Sequence, residues 1–321
     1  MIRTANRYAI LGGLILTVVL GSCTQAELPG DLQGGDSGGK PVPLCISSVS
    51  LDTGIETRAT DPDHTLTGVN GRIGVFLKAD PANSYTAVNN RLYTYGTPFW
   101  QTQEEPLLLG EVPARLAACY PYDSDRNNPI LLCSQLFNTS QDLCYFPFDA
   151  GSNTPAPSLK LTHAYARIKF NFRADASFTG NGVTTRLAVV GTGVRSVAML
   201  DLFTAGASAV TGIPGVTPGV DLSLSGYSFP GANQPFTIDG LFIPGTLAGD
   251  IFLTVTMDGK GKEGYLSATA LCGASGVLHA GKVYEVNLTV KDEVPLQIDG
   301  IKITSGWDDF NNGTPIEGNT H

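Results

Sequence analysis

The chain has 321 residues, with 20 Lys and Arg against 29 Asp and Glu, for a formal net charge of -9. That acidic, sparsely charged balance argues against nucleic acid and anionic membrane surfaces as electrostatic partners. With 38 glycines, 20 prolines and short runs rich in Val, Ile, Thr, Tyr and Phe, but no sustained 3.6-residue apolar period, the sequence reads as all-β with many turns.

The chain opens MIRTANRYAILGGLILTVVLGSC. Arg3 and Arg7 precede an apolar run from Ala9 to Leu20 that is too short for a mature transmembrane helix and fits a secretory signal. Its end, Leu20-Gly21-Ser22-Cys23, resembles the lipobox of bacterial lipoproteins. The resemblance implies removal of residues 1–22 and acylation of Cys23, which would hold the protein on a membrane face through lipid. An ordinary signal peptide with a chance cysteine, or an uncleaved anchor, are the other readings. The following Gly35-Asp36-Ser37-Gly38-Gly39 resembles the serine loop of trypsin-like proteases. No histidine precedes Ser37, the first being His64, so the order of such a triad is missing. Residues 23–45, rich in Gly, Pro, Ser and acids, read instead as a lipidated cysteine and flexible tether.

Next comes ISSVSLDTGIETRATDPDH, where Val49, Leu51, Thr53 and Ile55 alternate with Ser48, Ser50, Asp52 and Glu56. A period of two marks a strand with one buried face, placed at 46–58 and stopped by Asp61-Pro62-Asp63. Further strands are expected at 72–79, 91–96, 114–122 and 141–148. In SLKLTHAYARIKFNFRAD, Leu159, Leu161, His163 and Tyr165 share one phase and Ile168, Phe170 and Phe172 the other. A bulge or tight helical turn is expected at 164–167. The polar stretch 173–183 is taken as the boundary between an N-terminal domain, 46–176, and a C-terminal domain, 177–321. The second half carries expected strands at 184–190, 194–203, 236–243, 250–257, 264–272 and 282–290. Asp258-Gly259 should close a hairpin. The overlapping Gly259–Gly264 run matches GxGxxG, but a strand follows where a dinucleotide site needs a helix.

Catalytic and metal motifs are missing from the sequence, and no cofactor, metal or enzymatic activity is expected. The four histidines are scattered, and His163 is expected to pack or bond within its own strand. The acidic turns YDSDRNN and WDDFNN match no calcium ladder. Trp100 and Trp307 are suited to stacking on sugars or to core packing. If Cys23 is acylated, Cys45, Cys119, Cys133, Cys144 and Cys272 remain. Their pairing cannot be read from spacing. Cys119, Cys133 and Cys144 could hold one bridge, and buried free thiols are the alternative. A zinc site is not expected, because no CxxC pair exists and no histidine is near these three in sequence.

A lipobox, a tether, a strand ending in TRAT, then GRIGVFL, YTYGTPFW and ACYPY, followed by HAYARIKFNF, LFIPGTLAGDIFLTVTM, GKVYEVNLTV and ITSGW, together resemble the fimbrillin family of type V pili over essentially the whole chain. The resemblance implies two tandem transthyretin-like β-sandwich domains. It implies export to the outer membrane as a lipoprotein and cleavage by an arginine-specific protease. It also implies polymerisation with other pilus subunits into a surface fimbrium, with a host or bacterial receptor as a further partner. Carried onto this sequence, the cleavage falls between Arg58 and Ala59 and removes the strand of Val49, Leu51 and Ile55. Full burial of those side chains is worth roughly 5–8 kcal/mol. The vacated groove would then accept a donor strand. The candidate donor is the C-terminal VPLQIDGIKITSGW, with Leu296 and Ile298 in one row and Ile301 and Ile303 in another, the phase changing at Asp299-Gly300. Equally, these residues form the last strand of their own domain. A surface lipoprotein that binds glycans and never polymerises is the alternative function.

Overall fold

The computed structural model describes residues 40–52, 66, 71–96, 98–135, 142–230, 234–293 and 295–304. Arg58, Ala59, Ile55, Cys23 and Trp307 lie outside the described residues. In the first half the strands are β1 (Val42–Pro43), β2 (Ser48–Leu51), β3 (Arg72–Leu77), β4 (Val88–Gly96), β5 (Phe99–Gln101), β6 (Leu108–Leu109), β7 (Ala114–Tyr120), β8 (Ile130–Ser134), β9 (Cys144–Ala150), β10 (Ser158–His163) and β11 (Ala166–Ala174). There follow β12 (Thr184–Thr192), β13 (Val197–Asp201), β14 (Val210–Gly212), β15 (Val220–Tyr227), β16 (Phe236–Phe242), β17 (Gly245–Thr246), β18 (Ala248–Met257) and β19 (Lys260–Ser267). A single turn of helix, α1 (Ala268–Cys272), precedes β20 (Val277–Leu278), β21 (Val283–Val290) and β22 (Gln297–Thr304). The fold is all-β, as the turn-rich composition predicts.

A seven-stranded sheet in the order β2-β10-β9-β7-β3-β4-β5 holds most of the first half. Its buried face carries Ile73, Val75, Tyr93, Trp100, Leu116 and Leu161. Two four-stranded sheets, β16-β11-β21-β22 and β15-β12-β18-β19, enclose a second core around Phe170, Phe172, Ile238, Leu253, Val255 and Val286. The alternation in Ala166, Ile168, Phe170 and Phe172 aims all four into this core. A third cluster draws Phe76, Cys119 and Tyr145 from the first half together with Leu200, Leu241 and Val283 from the second. Over it lies the β14-β13-β8 sheet, in which β8 pairs antiparallel with β13 from Val197↔Ser134 to Asp201↔Ile130.

The phase slip at 164–167 marks a change of sheet rather than a bulge. Leu159 and Leu161 face the first core, Ala164 and Tyr165 bend the chain, and β11 then pairs with β16 and β21. β11, which precedes the expected boundary at 173–183, shares its sheet with second-half strands only. Residues 42–45 are misplaced by a tether reading. Val42 and Pro43 pair with Leu109 and Leu108, and Leu44 and Cys45 are buried. Pro43 hid this pairing, because proline signals loop unless it sits on a short edge ladder.

Local chemistry explains several quoted motifs. Gly74 in GRIGVFL must lack a side chain, since a Cβ there would stand 2.0 Å from Asn90 Oδ1. Asn90 occupies that space with a left-handed φ of 48° and donates through Nδ2 to Asp123 O at 2.6 Å. Asp258 and Gly259, with φ of 49° and 74°, close the β18–β19 hairpin. Positive φ at both central positions is what a two-residue hairpin with the twist of its strands requires. The GxGxxG run is thus a hairpin arm.

Candidate functional site

The N-terminal segment, residues 42–52, threads between two walls of the first core. On one side Val42↔Leu109 and Pro43↔Leu108 pair antiparallel, and Leu44 N–H donates to Leu107 O at 2.8 Å. Ile46 and Trp100 exchange both backbone bonds, at 3.2 and 2.8 Å. On the other side Cys45 and Ser47 donate to Pro155 O and Pro157 O, each at 2.9 Å. β2 then runs parallel to β10, matching Ser48 with Ser158 through Leu51 with Leu161. Asp52 N–H closes the run on Leu161 O at 2.7 Å.

Leu44, Ile46, Val49 and Leu51 all point into the first core, with Ile46 and Val49 fully covered. Trp100, edge-on to Tyr95 at 5.8 Å between ring centroids, forms part of the same core. Ser48 and Ser50 are half-buried on the opposite side. Contacts along that outer side are polar and weak: Ser47 Oγ to Ser158 Oγ at 2.8 Å, and Lys160 Nζ to Asp52 Oδ1 at 3.0 Å between partly exposed groups. The segment's apolar face and two half-ladders seat it in the first core, and Cys45 within it is disulfide-bonded. The segment links strands that, among the described residues, have no direct ladder to each other.

The candidate donor segment lies on its own chain. β22 is the edge strand of its sheet, antiparallel to β21, with a bulge at Asp299 where Asn287↔Gly300 is followed by Leu288↔Ile298. That bulge is the physical form of the phase change expected at Asp299-Gly300. Leu296 is buried and donates its N–H to Glu263 O at 2.7 Å. Ile298 and Ile301 are partly covered by the second core, while Ile303 is 43% exposed. Just before the strand, the buried Lys262 ammonium donates to the carbonyls of Lys291, Asp292 and Glu293 at 2.5, 2.8 and 2.7 Å.

Two expectations about side chains need correction. His163 does not bond within its own strand. It stands opposite Cys144 in the short β10–β9 ladder, with Nδ1 2.5 Å from Asp142 Oδ2 and 3.4 Å from Cys144 Sγ. A histidine is therefore close to one of the three clustered cysteines in space, though not in sequence. Nor do Cys119, Cys133 and Cys144 form a bridge: with Cys272 they are free and buried, while Cys45 is disulfide-bonded. Burial pushes the Cys144 thiol well above its ordinary value, and the neighbouring Asp142 carboxyl pushes it further. Such a thiol is a poor nucleophile. Asp142 stands two residues ahead of Cys144, the first residue of β9, and that spacing is the signal of this cluster in the sequence.

Sheets stacked around three cores, with the N-terminal segment completing one core and the C-terminal strand edging another, define an all-β module. The chain belongs to the fimbrillin-like family, whose model matches residues 57–306. Among solved structures it is similar to a candidate cell-adhesion protein from Bacteroides ovatus, at 19% identity and a TM-score of 0.56, covering 84% of this chain and 99% of that one. It is also similar to a candidate cell-adhesion protein from Bacteroides uniformis, at 17% identity and a TM-score of 0.53, covering 82% and 98%. The tip fimbrial protein Mfa3 of Porphyromonas gingivalis, with a C-terminal truncation, matches at 8% identity and a TM-score of 0.42 over 84% and 100%. No curated protein matches the chain.

Proposed function

We propose that this protein is a structural and adhesive subunit of a cell-surface fimbria. It is exported as a lipoprotein through Cys23, cut after Arg58 by an arginine-specific protease, and polymerised when a neighbour's strand replaces its own first one. Family membership supports the fimbrial reading. The observation that carries the strand-exchange reading is the setting of residues 42–52: four buried apolar side chains, two half-ladders, and few polar contacts on the outer side. Removing such a segment opens a groove whose floor is apolar and whose walls present unpaired backbone groups, which is the arrangement that captures an extended peptide. The only basic residue between Cys23 and Arg58 is Lys40. The donor is the β22 segment of a neighbour, carrying Leu296, Ile298, Ile301 and Ile303. Its thin burial and edge position favour its release.

The reading is tested by Arg58→Ala in cells. The variant is expected to stay lipid-anchored and to form no SDS-resistant ladders, whereas the wild type yields a mature species beginning at Ala59. Unchanged ladders in the variant would overturn it. The mass of the N-terminal peptide before cleavage decides the lipid step at Cys23.

One observation favours the alternative of a glycan-binding lipoprotein that does not polymerise. Val190, Phe252 and Tyr265 are register neighbours across β12, β18 and β19 and are 45%, 56% and 71% exposed. Two aromatic faces side by side on a sheet suit stacking on sugar rings. Under that reading Arg58→Ala leaves surface adhesion intact and no Ala59 species forms in the wild type.

A further inference from the structure

We propose that Asp142, Cys144 and His163 hold a divalent metal ion of the zinc class. All three residues are at most 3% exposed, and their ligand atoms lie within 4.8 Å of one another. The thiolate–imidazole–carboxylate donor set suits zinc better than calcium or magnesium, which take oxygen ligands.

Two of the three edges already have the required size. Cys144 Sγ is 3.4 Å from His163 Nδ1 and 3.5 Å from Asp142 Oδ2. Bonds of about 2.3 Å to sulfur and about 2.0 Å to nitrogen or oxygen, at tetrahedral angles, place such pairs roughly 3.5 Å apart. The third edge, Nδ1 to Oδ2, is closed to 2.5 Å by the hydrogen bond that metal would replace. Turning the carboxylate presents Asp142 Oδ1, a buried oxygen with no hydrogen-bond partner among the described residues.

Charge points the same way. A doubly charged cation with one thiolate, one carboxylate and a neutral imidazole sums to zero, which a fully buried site tolerates at least cost. Coordination releases the Cys144 thiol proton to solvent and requires Nδ1 of His163 to give up its proton, with Nε2 carrying the ring hydrogen. A water completes the fourth position.

The site also sits at the shortest ladder of the seven-stranded sheet. Residues 158–161 of β10 pair with β2, and only Thr162 and His163 pair with β9. A metal joining Cys144 to His163 clamps β10 to β9 at the two residues that would retain it once β2 departs. This consequence rests on the strand-exchange reading, whereas metal binding itself does not. The test therefore uses the intact full chain.

Purified protein is loaded with Zn²⁺, dialysed, and measured by elemental analysis, and separately loaded with Co²⁺. One zinc per chain is expected, together with a thiolate-to-cobalt charge-transfer band and the intense visible bands of four-coordinate cobalt. Cys144→Ala should abolish the charge-transfer band, and His163→Gln should weaken zinc binding by on the order of tenfold or more. Cys272→Ala, at a buried thiol outside the cluster, should change neither. Circular dichroism checks that each variant folds, and His163→Gln serves if Cys144→Ala does not. Substoichiometric zinc in the wild type, or a charge-transfer band that survives Cys144→Ala, overturns the proposal.

Discussion

A chain beginning at Ala59 should lose cooperative unfolding, or unfold far below the intact protein, and a synthetic peptide of residues 40–58 should restore it in trans. Leu44, Ile46, Val49 and Leu51 are all buried. At about 1.5–3 kcal/mol each, their burial is worth about 6–12 kcal/mol, the size of a whole domain's net stability. Trp100 and β10 would also lose the backbone partners that the segment supplies. Thermal unfolding followed by tryptophan fluorescence reads the effect, because Trp100 faces the vacated groove. A shortened chain that remains monomeric with an unchanged midpoint would show that the segment is dispensable and would remove the basis for exchange. Peptide rescue distinguishes an open groove from general misfolding, and a peptide with Val49→Asp and Leu51→Asp should fail to rescue.

Lys262→Met is expected to cost about 3 kcal/mol and to loosen β22 more than any other strand. The ammonium satisfies three backbone carbonyls in the turn between β21 and β22. Methionine keeps the stem's packing and leaves all three acceptors unmet, which is the expensive half of losing a charge-assisted bond. Leu296, which donates its N–H to Glu263 O and is buried in the second core, follows that turn and leads into β22. Hydrogen exchange should therefore accelerate across residues 297–304 while β11 and β21 stay protected, and the denaturation midpoint should fall. Uniform acceleration over the whole sheet would instead mean that Lys262 supports the core rather than the turn.

What the sequence made legible was local. Val49 and Leu51 alternate with serines and are buried as that alternation predicts. Asp258-Gly259 specified its hairpin, and Asp299-Gly300 marked the bulge in β22. Strand contacts between distant segments were not legible. β8, in PILLCSQ, follows an Asn-rich turn and shows no clean alternation, and its ladder partner β13 comes far later in the chain, pairing Ser134 with Val197. β15 has a clear period but sits beside Gly/Pro-rich chain that reads as loop. Likewise the pairing of Cys144 with His163 depends on a register of two residues, which neither segment encodes alone. The bend at Ala164-Tyr165 appeared as a phase slip, and only the partner strands show that it transfers the chain between sheets.

The direction of β2 has a geometric consequence. It runs parallel to β10 while residues 42–46 run antiparallel to β6 and β5. Any segment that takes its place and keeps these bonds must enter with the same N-to-C sense, because reversal would swap the two ladder types and shift every apolar side chain out of register. Assembly through this groove would therefore be polar. Each added copy points the same way as the last, and the growing end differs chemically from the finished one.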